Sequence, residues 1–290
     1  MKTHWIVENF VKEKSFRELQ LAIQELGYPL IEINGDYSSK MLEPLPVGSC
    51  VLVNGSIKMV KLIRDELVGE CHPIRYCDFE KYKCSAYYSH YGPYLFNDKY
   101  ALMSLKELVR QKYDVWGHYG KDAMIFIRPD SGEKTFQAGL LDIIDIDQLH
   151  NSNKDVEHDM VLVSTPKNIL WEGRFIVSKY KEVIAYSTYR FQGNVCLIPS
   201  VPPETLKFCK MLLEKVDYCP DSVFCLDICQ DSDKECWLLE LTSFSSAGLY
   251  ASNKKDIVEK VSAIALKDWD VWSKKNGYGY EDRRIGFPSA

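Results

Sequence analysis

The stretch DSVFCLDICQDSDKECWLLELTSF, residues 221–244, constrains this chain more than any other. Two runs rich in valine, cysteine, leucine and tryptophan flank a polar turn, which reads as a β-hairpin with both strands in a core. Each strand nevertheless carries one carboxylate, Asp227 in the first and Glu240 in the second. Residues two apart share a strand face, so Cys225, Asp227 and Cys229 form one row and Leu238, Glu240 and Thr242 another. The turn has an even residue count, so the natural register sets Asp227 and Glu240 on one face, at most a diagonal apart. Trp237, Leu239 and Leu241 are then expected to turn the opposite face into the core. Two carboxylates on an otherwise apolar face repel unless a cation lies between them. Oxygen-only ligands with room for water suit Mg²⁺, which takes one or two carboxylates together with substrate phosphates. The plain alternative is an exposed strand face, and the apolar neighbours argue against it.

The rest of the chain is ordinary enough to let that hairpin stand out. It has 290 residues, 46% of them hydrophobic, which supplies a sizeable core. The formal net charge of −5 gives no general attraction to nucleic acid or to an anionic membrane. No run of about 18 apolar residues is present and MKTHWIVENFVKEK lacks the core of a signal peptide, so a cytoplasmic protein without a membrane span is expected. The ten cysteines then read as reduced thiols. Cys71, Cys77 and Cys84 with His72 form no CxxC pair, so structural thiols are expected there rather than zinc.

Along the first hundred residues, THWIVEN and YPLIEIN read as buried strands around a helix, SFRELQLAIQEL, with Ser15 as its N-cap. GSCVLVNGSIKMVKLIRDEL repeats the pattern of strand, glycine turn and helix, which implies a small α/β layer with parallel pairing. YYSHYGPYLFNDKY reads as an aromatic connecting segment, and LMSLKELVRQ as a helix capped by Ser104. The texture changes near residues 113–122, and the second half is α+β with antiparallel strands. It comprises a strand and glycine-bearing loop in AMIFIRPDSGEKTFQAG, a strand in DMVLVSTP and a hairpin in ILWEGRFIVSKYKEVIAYSTYRF. A helix after the proline pair Pro202–Pro203 follows, then the opening hairpin and a last helix that starts at NKKDIVEKV on a solvated face. His90 and His118 read as polar surface, and NGYGYEDRRIGFP as a loose tail.

Four cations end or lie within apolar strands. Arg128 closes MIFI and opens a loop that offers Ser131, Gly132, Lys134 and backbone amides, the ingredients of a phosphate cradle without a Walker A sequence. In WEGRFIV, Glu172 and Arg174 share a face; in AYSTYRF, Tyr186, Thr188 and Arg190 do. Hairpin pairing can bring Arg174 and Arg190 together, and arginine forks bind phosphate and carboxylate while keeping their charge when buried. Each arginine taken singly reads better as a surface residue in a local ion pair. Together with two carboxylates they form an inventory suited to ATP chemistry.

In these residues the chain resembles the ATP-grasp superfamily, in the clade named for two arginines and one lysine. NGSIKM, YGPYLFND, FIRPDSGEKTF, VLVSTP, WEGRFIV, AYSTYR, LDI and LELTSFSSAGLY carry the resemblance, in family order over most of the chain. It implies an α+β ATP-grasp fold, with a pre-ATP-grasp α/β domain at 1–115 and an ATP-grasp domain at 116–290, split near 120–165 and 166–290. It implies that Arg128 and Lys134 hold ATP phosphates, and that Leu162, Val163, Ser164 and Thr165 form the hinge at the adenine. It further implies that Arg174 and Arg190 face the phosphoryl and acyl groups, and that Asp227 and Glu240 hold Mg²⁺. Thr242 stands where the family usually has asparagine, which weakens one metal ligand.

Similar proteins join a carboxylate to an amine through an acyl phosphate. The expected function is therefore an ATP- and Mg²⁺-dependent carboxylate–amine ligase acting on an amino acid, a peptide or a protein terminus. Two rivals are a kinase-like phosphotransferase and a non-catalytic ATP-binding module in which Thr242 reports a lost ligand.

Overall fold

The computed structural model describes residues 1–9, 14–35 and 37–278. Its first layer contains β1 (His4–Glu8), α1 (Lys14–Glu25), β2 (Leu30–Ile33), β3 (Cys50–Asn54), α2 (Ile57–Leu67) and β4 (His72–Ile74). The strands pair in the order β2-β1-β3-β4, all parallel. Parallel strands covered on both faces need unbroken apolar runs, and Trp5–Val7 of β1 and all of β3 are buried. Ser15 lies inside the first turn of α1 rather than at its cap, because the helix starts at Lys14.

The aromatic segment departs from its reading as a connection. It forms α3 (Cys84–Tyr91), with Tyr87, Tyr88 and Tyr91 buried at helical spacing. Tyrosine is an indifferent helix former, so packing of these rings against the central sheet supplies the stability that propensity does not.

A second sheet follows, in the order β5-β8-β6-β7 and wholly antiparallel. It is built from β5 (Tyr100–Ser104), α4 (Leu105–Arg110), α5 (Lys112–Tyr119), β6 (Ile125–Pro129), β7 (Gly139–Leu141), α6 (Ile143–Ser152) and β8 (Met160–Ser164). Ser104 caps α4 by accepting from the Glu107 amide at 3.2 Å. β5 lies ahead of the texture change at 113–122 and is still hydrogen-bonded into this sheet along its length.

The third sheet, β11-β10-β9-β12-β13, is antiparallel and central to the site. Its elements are β9 (Ile169–Ser178), β10 (Val183–Phe191), β11 (Asn194–Ile198), α7 (Pro203–Lys215), β12 (Val223–Asp231), β13 (Cys236–Ser243) and α8 (Lys254–Lys275). Sequence pattern did not mark β11, a short edge strand with Val195 and Leu197 exposed. One face of the sheet buries Phe175, Val177, Leu226 and Ile228 beside Leu212 of α7. The other buries Ile176, Ala185 and Cys225 with α8 and with Trp5 and Leu52 of the first layer. That shared core is pinned by the Trp5 indole on Ser262 Oγ at 3.0 Å and the Trp269 indole on the Gly48 carbonyl at 2.8 Å. Lys254 departs from the solvated helix start expected of it: it is 6% exposed and donates to the Tyr250 and Ser252 carbonyls, tying the turn before α8.

The opening hairpin forms with one irregularity. A register shift between Asp227 and Ile228 leaves Leu239 without a direct partner. Leu238 and Leu241 therefore both enter the core, and Leu239 does not share Leu241's face as strict alternation required. Trp237 pairs with Cys229 and donates its indole N–H to Asp231 at 2.9 Å. Among the described residues no helix is long and apolar enough to cross a membrane. The tail beyond residue 278, with Arg283 and Arg284, lies outside the described residues.

Asp221, just ahead of β12, joins the first layer to the central sheet. Its Oδ2 accepts from the Tyr82 hydroxyl at 2.8 Å and the Asp78 amide at 3.1 Å. Burial pushes its carboxyl up to about 6. A carboxyl raised on folding contributes stability below its unfolded pKa and loses it as pH rises through the folded one. Asparagine can accept the same two bonds without ionising. The unfolding free energy of Asp221→Asn should therefore gain on wild type by roughly 3 kcal/mol between about pH 4 and about pH 7. Urea unfolding at both pH values checks this, and a difference that stays constant with pH would refute it.

Candidate active site

The central sheet lays its charges out in rows, because directly paired residues on neighbouring strands face the same way. Arg174 of β9 pairs with Asp227 of β12, and Asp227 pairs with Glu240 of β13. One row thus reads Arg174, Asp227, Glu240 across three strands. The adjacent row places Arg190 of β10 opposite Glu172 of β9. Arg174 and Arg190 are consequently one residue pair apart on the same face.

Asp227 is 1% exposed and Arg174 5%. Arg174 Nε and Nη2 donate to Asp227 Oδ1 and Oδ2 at 2.8 and 2.7 Å, a two-point fork. Its Nη1 donates to the Gly248 carbonyl at 2.9 Å, and its guanidinium lies 5.0 Å from the Tyr250 ring centroid. Burial pushes the Asp227 carboxyl up; the Arg174 charge opposes this and the Glu240 charge adds to it. Glu172 accepts from the Tyr189 hydroxyl at 2.8 Å and from Arg190 at 3.4 Å, and burial pushes its carboxyl up as well.

Glu240 is held from the second sheet. Arg128 Nη2, at the end of β6, donates to Oε2 at 2.9 Å, and Lys134 Nζ donates to Oε1 at 3.1 Å. Burial alone would push this carboxyl up, but Lys134, Arg128 and Arg174 outweigh burial and hold it well below the usual carboxylate range. Thr242 Oγ1 adds a donor at 3.2 Å. Arg128 also keeps a buried Nε with no acceptor among the described residues.

The loop that carries Lys134 is fastened at two points. Asp130 accepts from the Ser85 amide and hydroxyl at 2.7 and 2.6 Å, in the first turn of α3. A Cβ on Gly132 would stand 2.4 Å from the Phe79 carbonyl, so only glycine allows the loop to lie this close. Lys134 itself has φ of 54°, a left-handed backbone uncommon for a side chain of its size.

These groups line one cleft of about 690 Å³ between the second and third sheets. Arg128, Lys134, Arg174, Arg190, Asp227 and Glu240 all reach it. Thr242 lines a small adjoining pocket with Arg128 and Lys134. Leu162, Val163 and Ser164 are buried within β8, where the Ser164 hydroxyl donates to Asn97 at 3.1 Å. They and Thr165 are not among the residues lining the cleft; Phe126, from the neighbouring strand β6, and Ile169, at the start of β9 in the third sheet, give it apolar walls. Sequence reasoning passed over Tyr189, Tyr250 and Leu239, which also line it. Register shifts beside Tyr189 and Leu239 break the alternation that would have placed them. The oxygen donors of Glu240, Asp227 and Thr242 suit a hard cation such as Mg²⁺. Both Asp227 oxygens are committed to Arg174 and both Glu240 oxygens to Arg128 and Lys134; Glu240, with its side chain 18% exposed against 1% for Asp227, is the more accessible of the two carboxylates.

A family model described as the ATP-grasp domain, R2K clade family 2, matches residues 106–260. This chain belongs to that family. Its ATP-grasp fold is shared with solved structures of low identity. D-cycloserine synthetase DcsG aligns with a TM-score of 0.59 at 10% identity, over 91% of this chain and 99% of that one. The macrocyclase MdnC from Microcystis aeruginosa MRC, bound with precursor peptide MdnA, aligns at 0.55 and 15%, over 91% and 99%. The RimK domain ATP-grasp protein from Sphaerobacter thermophilus DSM 20745 aligns at 0.54 and 10%, over 92% and 98%. A comparison with curated proteins gives no match. In this ATP-grasp domain, the four cations and three carboxylates of the cleft come from two different sheets.

The buried fork makes a stability prediction that needs no ligand. Arg174→Met strands Asp227 as an unpaired buried carboxylate and should cost about 3–5 kcal/mol in urea unfolding. Adding Asp227→Leu should recover most of the loss, because the pair then leaves no lone charge. A double variant no more stable than the single one would show that the pair does not act as a unit.

Proposed function

We propose that this ATP-grasp protein is an ATP- and Mg²⁺-dependent ligase that joins a carboxylate to an amine through an acyl phosphate. The observation that supports it most is the row Arg174–Asp227–Glu240, capped by Arg128 and Lys134 from the facing sheet. Triphosphate and acyl phosphate are both polyanions, and the cleft offers four cations to them.

In this reading Arg128 and Lys134 hold the ATP phosphates, and their bonds to Glu240 are exchanged for bonds to phosphate oxygens. Glu240, with Thr242 and the more constrained Asp227, then holds Mg²⁺, which when bound would neutralise phosphate charge. The adenine sits between the apolar walls of Phe126 and Ile169, with the proposed hinge Leu162–Thr165, at the end of β8, beside Phe126 and not itself lining the cleft. Arg174, braced by Asp227 and the Gly248 carbonyl, and Arg190 stabilise the negative charge of the transferring phosphoryl group and the acyl phosphate. A substrate carboxylate oxygen bonds to the γ-phosphorus as ADP leaves. The amine then bonds to the acyl carbon and phosphate leaves with the oxygen, the amine proton passing to solvent or phosphate. The acceptor class that suits this chemistry is an amino acid, a peptide or a protein terminus.

Chemical unfolding with a non-hydrolysable ATP analogue and Mg²⁺, together and apart, tests the site. Both together at about 100 times the dissociation constant should add about 2.7 kcal/mol, and the gain should shrink in Glu240→Gln. No gain under any condition would sink the reading. Phosphate release that requires both an acid and an amine separates a ligase from a phosphotransferase, and nucleotide binding with no turnover would mark a binding module. In a further test, Gly132→Ala should lift the loop off Phe79 and weaken analogue binding by about tenfold or more in calorimetry. Unchanged affinity would mean that the loop's position does not matter to the nucleotide.

A further inference from the structure

A second cavity, of about 390 Å³, lies where the end of α2, β4 and the last turns of α8 meet the residues just before β12. It shares no lining residue with the cleft. Its size falls in the range of small-molecule pockets, about 300–1,000 Å³. Arg64 and Arg75 both line it. Arg64 Nε and Arg75 Nη1 are shielded from solvent and have no acceptor among the described residues. Leaving a buried donor unmatched is unfavourable, and two guanidinium nitrogens in one cavity wall are a standing demand for an anion.

The same wall carries a matching demand of opposite sign. Asp221 lines the cavity and forms no ion pair with Lys or Arg among the described residues. Both of its hydrogen bonds fall on Oδ2, which leaves Oδ1 without a donor there. Burial accordingly favours its protonated form, and a cation beside it would reverse that. Asp78, also in the wall, is already paired with Lys81 at 3.2 Å. Arg64 is paired with Asp65 through Nη2 and keeps only Nε without an acceptor, whereas Arg75 lies over the Phe79 ring and forms no ion pair among the described residues; neither arginine pairs with Asp221, so the cavity keeps free donors and a free carboxylate oxygen apart. A simple anion would satisfy only one side. Val68, Pro73, Ile74 and Trp272 add apolar surface, and the His72 ring, stacked on Trp272, also lines the cavity.

We propose that this cavity binds a free α-amino acid as its zwitterion, with the carboxylate on Arg64 and Arg75 and the ammonium on Asp221. The inference does not depend on the reading of the cleft, since it uses none of the same residues.

Calorimetry on the full chain without nucleotide tests it, with each proteinogenic L-amino acid, the corresponding decarboxylated amines and inorganic phosphate as probes. At least one amino acid should bind, while its amine and phosphate should not match it. Arg75→Gln and Asp221→Asn should each weaken that binding by about tenfold or more. Arg64→Gln, at a partly exposed position, is expected to do the same without threatening the fold. Glu240→Gln should leave the affinity unchanged. The proposal fails if no amino acid binds, or if binding ignores all three cavity variants. It also fails if Glu240→Gln abolishes binding, which would locate the ligand in the cleft. Phosphate binding as tightly as the amino acid, and insensitive to Asp221→Asn, would mean an anion site only.

Discussion

The buried fork between Arg174 and Asp227 is the interaction on which the site depends. A carboxylate with almost no exposure, in the middle of a five-stranded sheet, is tolerable only with a partner that satisfies both oxygens. Arg174 does this from the directly paired position on the next strand, and spends its remaining nitrogen on the Gly248 carbonyl. The guanidinium is thereby fixed in plane and direction, facing the cleft beside Tyr250. Because β12 lies between β9 and β13, the same residue also sets where Glu240 stands. A single cross-strand register therefore positions both a cation and an anion of the cleft.

The facing wall is positioned by a different means. Arg128 comes from the end of a strand, but Lys134 comes from a loop whose course is set by contacts outside its own sheet. Asp130 is bound to the first turn of α3, and Gly132 lies against the Phe79 carbonyl. The aromatic helix thus does more than fill space, since it anchors the loop opposite Glu240. Without ligand, Arg128 and Lys134 neutralise Glu240 while Arg174 neutralises Asp227. In the proposed function, charges that would meet phosphate and metal are kept satisfied by one another, which avoids the cost of isolated ions at a poorly solvated surface. On that proposal, binding is an exchange of partners rather than the filling of an empty field.

Much of the third sheet was legible in the chain. The hairpins of residues 169–191 and 223–243 follow from apolar runs around polar turns, and strand periodicity put Asp227 with Glu240. The helix after Pro202 followed from its proline pair. Less local features were not legible. Tyr87, Tyr88 and Tyr91 look like loop aromatics until a sheet is present to bury them. The edge strand β11 carries no pattern beyond a short apolar run. Leu239 and Tyr189 were assigned no place in the site, because a bulge inserts one residue and reverses the facing of everything beyond it, and single-strand periodicity does not contain bulges.

The sequence by itself determined that charged residues would stand inside apolar strands, which residues they were, and that carboxylates and arginines would share faces. Those facts depend on a two-residue period that is local to each strand. Tertiary structure decided which charge meets which. Asp227 is committed to Arg174, Glu240 to Arg128 and Lys134, and Glu172 to Tyr189 and Arg190. It also decided that α8 from the far end of the chain would close the core over β1 and β3, and that Arg64, Arg75 and Asp221 would line one cavity. Such pairings depend on strand order, register and the packing of distant segments. These come from how the whole core closes, and no window of sequence contains them.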